Sequence, residues 1–130
     1  MCETPPRILV VDDDESVGFS LMALLEDRGF DVIWAQSAEA AQTLLDQTPR
    51  DIAIVDLRLP GINGDAFIIQ THQIHPDLKF FIYTGSMDFE LSPALRVAGV
   101  TSESVIKKPV TDIAELVTAL RRQSGVKNAE

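Results

Sequence analysis

The chain has little of what marks extracellular or membrane proteins. Cys2 is the only cysteine among 130 residues, so no disulfide can form within the chain. No apolar stretch approaches the roughly 20 residues that a transmembrane helix needs. The N-terminal residues also lack the basic-then-apolar order of a signal peptide. We therefore expect a cytoplasmic protein with neither a disulfide framework nor a membrane partner.

Basic residues are also scarce. The chain has 11 Lys and Arg residues against 20 Asp and Glu residues, which gives a net charge of −9. This balance argues against direct nucleic-acid binding by the domain, because phosphate backbones attract basic surfaces. The apolar share of 45% is ordinary for a globular protein and argues against bulk disorder. A chain of this length is expected to form one domain with a real core.

Short apolar runs alternate with helix-like segments, and the sequence contains no internal repeat and no low-complexity segment. The pattern predicts strands over Ile8–Val11, Val32–Ala35, Ile52–Val55, Lys79–Tyr83 and Ser104–Lys107. It predicts helices over Ser16–Arg28, Ala38–Gln47, Asp65–His75, a segment ending at Gly99, and Thr111–Gln123. This alternation is typical of an α/β fold with a parallel sheet and right-handed crossovers. We expect a domain over 7–123, with a flexible N-terminus (1–6) and tail (124–130).

Four of the predicted strands lead into charged or hydroxyl residues, which are Asp12–Asp14, Asp56, Thr84 and Lys108. In an open parallel sheet, ligands bind outside the carboxyl ends of the strands, so these groups are expected to share one crevice. Two carboxylates about 4 Å apart repel by roughly 4 kcal/mol at an effective dielectric near 20. Converging acids therefore favour a bound cation, and a cluster of oxygen ligands suits Mg²⁺.

The chain resembles the response-regulator receiver domains of two-component signalling. The matching segments are ILVVDDDES (8–16), DIAIVDLRLPGINGD (51–65), FFIYTG (80–85) and KKP (107–109), in the family's order and over nearly the whole chain. Each segment alone is weakly specific, but the set is highly specific. The resemblance implies a flavodoxin-like (βα)5 three-layer sandwich with a five-stranded parallel sheet of order 2-1-3-4-5. That order places the strands ending at Asp13 and Asp56 side by side.

The resemblance also implies the chemistry of the site. Asp56 is the phosphoacceptor, and it takes a phosphoryl group from a sensor histidine kinase or a histidine phosphotransferase. Asp13, Asp56 and the backbone carbonyl of Arg58 bind Mg²⁺ (or Mn²⁺) directly, while Asp12 acts through a bound water. Such a domain catalyses its own phosphorylation and slow autodephosphorylation, and it turns over no external substrate.

Further residues of the site follow from the same resemblance. Thr84, Gly85 and Lys108 contact the phosphoryl group, and the peptide bond before Pro109 is cis. Ser86, like Arg58, modulates the rate of dephosphorylation. We expect a monomer or a weak homodimer that signals to an unknown output partner.

The chain departs from the family pattern near the surface that many receivers use for output. The family often has an aromatic residue three positions before the lysine that matches Lys108, and here that residue is Val105. Ser92 and Pro93 are typical of a helix start, which predicts a short fourth helix after a long loop over Gly85–Leu91. The connection that follows Gly99 is also longer than usual. We therefore predict an output surface that includes Val105 and Lys107, with the Gly85–Leu91 loop as the moving part.

Three alternatives remain open. A haloacid-dehalogenase-type phosphatase needs a second acid two residues after its nucleophile, but Arg58 stands two residues after Asp56. Asp12 and Asp14 have the required spacing, but the threonine that follows in that motif is missing. A flavin-binding flavodoxin needs a Gly-rich phosphate loop after the first strand, where three aspartates would repel phosphate. A degenerate receiver that serves only as a docking module is disfavoured because Asp12, Asp13, Asp56, Thr84 and Lys108 are all present.

Two further residues have structural interpretations. Asp14 is a candidate cap for the first helix and need not be part of the site. Trp34 lies in the second predicted strand, and we expect it to pack in the core or at the sheet edge, away from Asp56.

Overall fold

The computed structural model describes residues 6–57, 64–85, 91–101, 104–107 and 113–125. Within them, five strands alternate with five α-helices. The strands are β1 (Arg7–Val11), β2 (Asp31–Ala35), β3 (Ile52–Asp56), β4 (Lys79–Thr84) and β5 (Val105–Lys107). The helices are α1 (Glu15–Asp27), α2 (Ala38–Gln47), α3 (Gly64–Ile74), α4 (Pro93–Val97) and α5 (Ile113–Gly125).

The strands form one parallel sheet of order β2-β1-β3-β4-β5, which confirms the predicted fold and strand order. Val11, the last residue of β1, pairs with Ala35 on one side and with Val55 on the other. The strand order reverses between β1 and β3, because β2 lies on one side of this pair and β4 lies on the other. The carboxyl ends of β1 and β3 are therefore adjacent at the switch point.

Successive strand residues point to opposite faces of the sheet, and an apolar cluster buries each face. Leu9 and Val55 pack in one apolar cluster with Phe67 of α3, and that cluster also includes residues of α2 and α4. Val10 and Ile54 pack in a second cluster with residues of α1 and α5. Two helical layers thus enclose the sheet and hold its central strands rigidly, which fixes the positions of the residues that end them.

Local sequence signals account for several helix ends. Ser37 accepts a hydrogen bond from the Ala40 N–H and begins α2, whose predicted bounds are confirmed. Ser92 accepts one from the Leu95 N–H, and Pro93 takes the first position of α4. Gly29 follows α1 with a φ of 92°, a left-handed conformation that glycine adopts without strain.

Several predicted bounds are shifted by one or two residues. Helix α1 begins at Glu15 rather than Ser16, because Asp14 is the capping residue. Helix α3 begins at Gly64, and α5 reaches Gly125 beyond the predicted end at Gln123. Strand β4 continues through Thr84, which pairs with Lys107 of β5. The predicted flexible ends lie mostly outside the described residues.

Candidate metal and phosphoryl site

Three carboxylates meet where β1 and β3 end. Asp56 is the last residue of β3, and Asp12 and Asp13 directly follow β1. One carboxylate oxygen from each residue can be chosen so that all three lie within 4.8 Å of one another. Asp12 is 1% exposed and Asp56 is 7% exposed, whereas Asp13 is open to solvent. The structure therefore brings together the three acids that the sequence predicted.

The chemistry of this cluster fits a hard cation. At such separations, each pair of ionised carboxylates repels by roughly 3 to 4 kcal/mol at an effective dielectric near 20. Burial of Asp12 and Asp56 removes most of the water that would otherwise screen this repulsion. A donor set made only of carboxylate oxygens, with one side open to solvent, suits Mg²⁺, which keeps several waters and binds few protein ligands.

The turn between β1 and α1 gives the three consecutive aspartates different surroundings. Asp12 Oδ1 accepts a hydrogen bond from the Asp14 N–H at 2.9 Å, so this carboxylate also closes the turn. Asp14 Oδ1 accepts one from the Val17 N–H at 3.2 Å and caps α1. Asp14 is thus a structural cap, as its position suggested, and only Asp12 and Asp13 join Asp56.

Trp34 also contacts this turn, which the sequence did not predict. Its indole N–H donates to the backbone oxygen of Asp12 at 2.9 Å, across 22 residues of sequence. The ring lies against Gly18 of α1, where a Cβ atom would come within 2.3 Å of Trp34 Nε1. A glycine inside a helix costs up to about 1 kcal/mol relative to alanine, so Gly18 was the available signal of a close packing partner.

Gly64 packs against the backbone of the third acid. A Cβ atom on Gly64 would lie 2.6 Å from the Asp56 carbonyl oxygen and 2.7 Å from Leu57 Cα. The Gly64 N–H donates to the Leu57 carbonyl at 3.1 Å. The lack of a side chain at Gly64 lets α3 begin directly beside the end of β3.

Thr84 lies at the end of the next strand of the sheet. Tyr83 pairs with Asp56 in the β3–β4 register, so Thr84 is one position further toward the carboxyl edge. Thr84 is 3% exposed, and Gly85, which follows it, is exposed. Val105, half-buried, and Lys107 belong to the edge strand β5, where Lys107 pairs with Thr84. The remaining predicted residues, Arg58, Ser86, Lys108 and Pro109, lie outside the described residues.

A family model for the response regulator receiver domain matches residues 8–121 of this chain. The chain belongs to this family. The match covers every strand from Ile8 onward and all three clustered acids, and it confirms the resemblance seen in the sequence motifs. Receiver domains are signalling modules of two-component systems, and phosphorylation and Mg²⁺ binding are general to them.

Individual relatives agree with this assignment. The receiver domain is 32% identical over 116 residues to the DNA-binding transcriptional regulator NtrC of Escherichia coli, covering 88% of this chain and 24% of the relative. It is 32% identical over 103 residues to a cyclic di-GMP phosphodiesterase of Thermotoga maritima, covering 79% of this chain and 27% of that protein. The chain thus spans about a quarter of the length of these relatives.

A solved structure supports the fold as well. A CheY-like response regulator receiver domain protein from Methanospirillum hungatei superposes with a TM-score of 0.82 at 26% identity, covering 97% of this chain and 99% of the other. Among the helices that the structure describes in the receiver domain, none has the length and the hydropathy needed to span a bilayer.

Proposed function

We propose that Asp56 is the phosphoacceptor of this receiver domain. It takes a phosphoryl group from the phosphohistidine of a sensor histidine kinase or a histidine phosphotransferase, in a Mg²⁺-dependent reaction. The observation that supports this most directly is the meeting of the Asp12, Asp13 and Asp56 carboxylates within 4.8 Å at the carboxyl edge of the sheet. In such a cluster a bound cation would orient the incoming phosphoryl group. The buried strand β3 fixes the position of the Asp56 carboxylate.

Asp56 is favoured over the two neighbouring acids by its surroundings. One oxygen of Asp12 accepts a hydrogen bond within its own turn, and Asp13 is exposed on that turn. Asp56 instead ends the central strand β3, beside β4, which ends at Thr84. Only Asp56 thus lies between the acids of the first turn and a hydroxyl donor of the next strand.

The proposed transfer is a nucleophilic displacement at phosphorus. An oxygen of the Asp56 carboxylate attacks phosphorus, the P–N bond to the donor imidazole breaks, and the imidazole nitrogen keeps the electron pair. The Thr84 hydroxyl and the Gly85 N–H donate to phosphoryl oxygens, and the Lys108 ammonium neutralises another oxygen. Asp13, Asp56 and the Arg58 carbonyl would hold Mg²⁺ (or Mn²⁺), with Asp12 acting through water. The ion would supply charge neutralisation for the transferring group.

The domain acts on no substrate other than its own phosphoryl group. Arg58 and Ser86 set the rate at which that group is lost by hydrolysis. Output goes to a partner that binds the surface including Val105 and Lys107, and the domain works in the cytoplasm as a monomer or a weak homodimer.

The enzyme alternative has less support in the structure. A haloacid-dehalogenase-type site built on the first turn would use Asp12 as nucleophile and Asp14 as general acid. Asp14 instead caps α1 through the Val17 N–H, and one oxygen of Asp12 is bound to the Asp14 N–H. Neither residue has the freedom that those roles require.

Phosphorylation by acetyl phosphate tests the proposal. Incubation with acetyl phosphate and Mg²⁺ should add a single phosphate by intact-mass spectrometry, and Asp56→Asn should abolish it. Asp77→Asn, an exposed residue outside the acid cluster, is the matched control and should label like the wild type. Labelling of Asp56→Asn at wild-type stoichiometry would show that another residue is the acceptor.

A further inference from the structure

Strand β2 binds the backbone of Asp12 on both sides of its Cα atom. The Asp12 N–H donates to the Ala35 carbonyl at 3.1 Å, and the Asp12 carbonyl accepts from the Trp34 indole N–H at 2.9 Å. Two successive residues of β2 therefore bind both backbone polar groups of Asp12. The first bond continues the β1–β2 ladder, but the second comes from a side chain and has no counterpart in ordinary sheet pairing.

The second bond bears on the geometry of the acid cluster. The Asp12 carbonyl and the Asp13 amide belong to one planar peptide unit, so fixing the carbonyl direction also fixes where the Asp13 backbone begins. Asp13 is the one exposed acid of the three, whereas Asp12 is buried and closes its own turn. The Trp34 bond therefore constrains the backbone of Asp13, the exposed acid.

Gly18 makes this contact possible. A Cβ atom there would lie 2.3 Å from Trp34 Nε1, 2.7 Å from Cε2 and 2.8 Å from Cδ1, all closer than real contacts allow. Gly18 is a buried residue of α1, in a helix interior where alanine is normally more stable by roughly 0.5 to 1 kcal/mol. Apart from proline, glycine is the residue that favours a helix least, and Gly18 stands where the indole ring needs the space.

We propose that Trp34 is a positioning residue for the metal site. Its indole N–H sets the Asp12–Asp13 peptide so that the Asp13 carboxylate lies within reach of Asp56, and Gly18 provides the room. This inference rests on the proposed Mg²⁺ site. Simple packing is the competing role, because Trp34 is half-buried against the apolar cluster between the sheet and α1. The experiment must therefore separate metal affinity from fold stability.

Trp34→Phe removes the N–H donor and keeps an aromatic ring. By titration calorimetry with Mg²⁺ alone, we expect the dissociation constant to rise about three- to tenfold, as for the loss of one hydrogen bond. Phe30→Leu is the control, since Phe30 is buried in the same cluster and precedes β2. It should lower the melting temperature but leave the Mg²⁺ dissociation constant within about twofold of wild type.

Gly18→Ala tests the same contact from the other side. Its methyl group should displace the indole and weaken Mg²⁺ binding to a similar extent, although alanine favours the helix. If both substitutions break one hydrogen bond, the double variant Gly18→Ala/Trp34→Phe should bind Mg²⁺ no more weakly than the worse single variant. Additive losses would contradict a shared mechanism.

Trp34 is the only tryptophan, so the intrinsic fluorescence of the wild type comes from this side chain. Its emission should change on Mg²⁺ addition with the dissociation constant found by calorimetry. Wild-type Mg²⁺ affinity in Trp34→Phe, with only the melting temperature lowered, would overturn the positioning role and leave the proposed function intact. A wild type that neither binds Mg²⁺ nor accepts phosphate would overturn both.

Discussion

Gly64 lies directly against the carbonyl of Asp56, so close that a Cβ atom would come within 2.6 Å of the carbonyl oxygen. Its N–H also donates to the carbonyl of Leu57, the residue after Asp56. The first residue of α3 therefore packs on the backbone of Asp56, the proposed phosphoacceptor. Any substitution at Gly64 must move either α3 or the end of β3.

Gly64→Ala should destabilise the domain by about 1 to 3 kcal/mol in urea denaturation, because the new methyl group overlaps backbone atoms that cannot rotate away. The sign is informative, since the same change in an unhindered helix usually stabilises. Gln70→Ala, at an exposed position of the same helix, should stay within about 0.5 kcal/mol of wild type. A Gly64→Ala protein as stable as wild type would show that the contact with Asp56 relaxes freely.

Asp13→Asn should lower Mg²⁺ affinity about tenfold or more, because it removes a charged ligand, yet keep or raise the melting temperature in EDTA. The second effect follows from relief of the repulsion among three clustered carboxylates. Asp14→Asn changes the net charge equally and keeps a side chain that can cap α1, so its Mg²⁺ affinity should stay near wild type. A clear drop in the metal-free melting temperature of Asp13→Asn would indicate a structural role for Asp13.

Asp14→Ala should cost about 0.5 to 2 kcal/mol of stability, since the Val17 N–H at the start of α1 loses its side-chain acceptor. Thermal unfolding measures this loss. Asp14→Ser should recover most of it, because serine caps helices well. The Asp14→Ala protein should still take up one phosphate per chain at low temperature. Loss of labelling in a folded Asp14→Ala protein would place Asp14 in the site.

Activation should alter the segment after Gly85, with no ring rotation in β5. Val105 is β-branched and has a stiff χ1, so it cannot follow Thr84 toward a phosphoryl group as an aromatic ring would. Helix α4 spans only the five residues Pro93–Val97, which agrees with the predicted short fourth helix, and residues 86–90 of the predicted loop lie outside the described residues. The free energy of the Thr84 contact must bias an element with two arrangements, and the Gly85–Leu91 loop is the predicted one.

Amide hydrogen exchange with and without a beryllofluoride phosphate mimic tests this switch. Protection should change across residues 85–95, in addition to the acidic turns. Asp56→Asn treated in the same way is the control and should show no change. Changes confined to the turns at Asp12–Asp13 and Asp56 would contradict the loop mechanism.

Much of the fold was predictable because its signals are local or topological. The unbroken apolar run Ile52–Val55 indicated a strand buried on both faces, and the structure buries every residue of β3. Ser92 begins α4 as expected and Ser37 begins α2, since a cap depends on atoms three residues away. The acid cluster was predictable as well, because parallel strands place their carboxyl ends at one edge.

Other bounds depended on partners distant in sequence. Strand β4 continues to Thr84 because Lys107 pairs with it, and no local pattern distinguishes the last paired residue from the first loop residue. Helix α1 begins at Glu15, one residue before the predicted start, because the backbone of Asp14 is extended and its side chain accepts from the Val17 N–H.

The sequence by itself determined the alternation of strands and helices and the burial of the sheet, because hydrophobic periodicity suffices for these. The receiver-like motifs in the sequence added the strand order, which places Asp12, Asp13 and Asp56 together. Only the tertiary structure decided that Trp34 binds the Asp12 carbonyl and that Gly64 abuts Asp56. Both contacts arise where elements from separate parts of the chain pack to within van der Waals distance. Their existence depends on the relative positions of β1, β2, β3 and the helices, which no local pattern specifies.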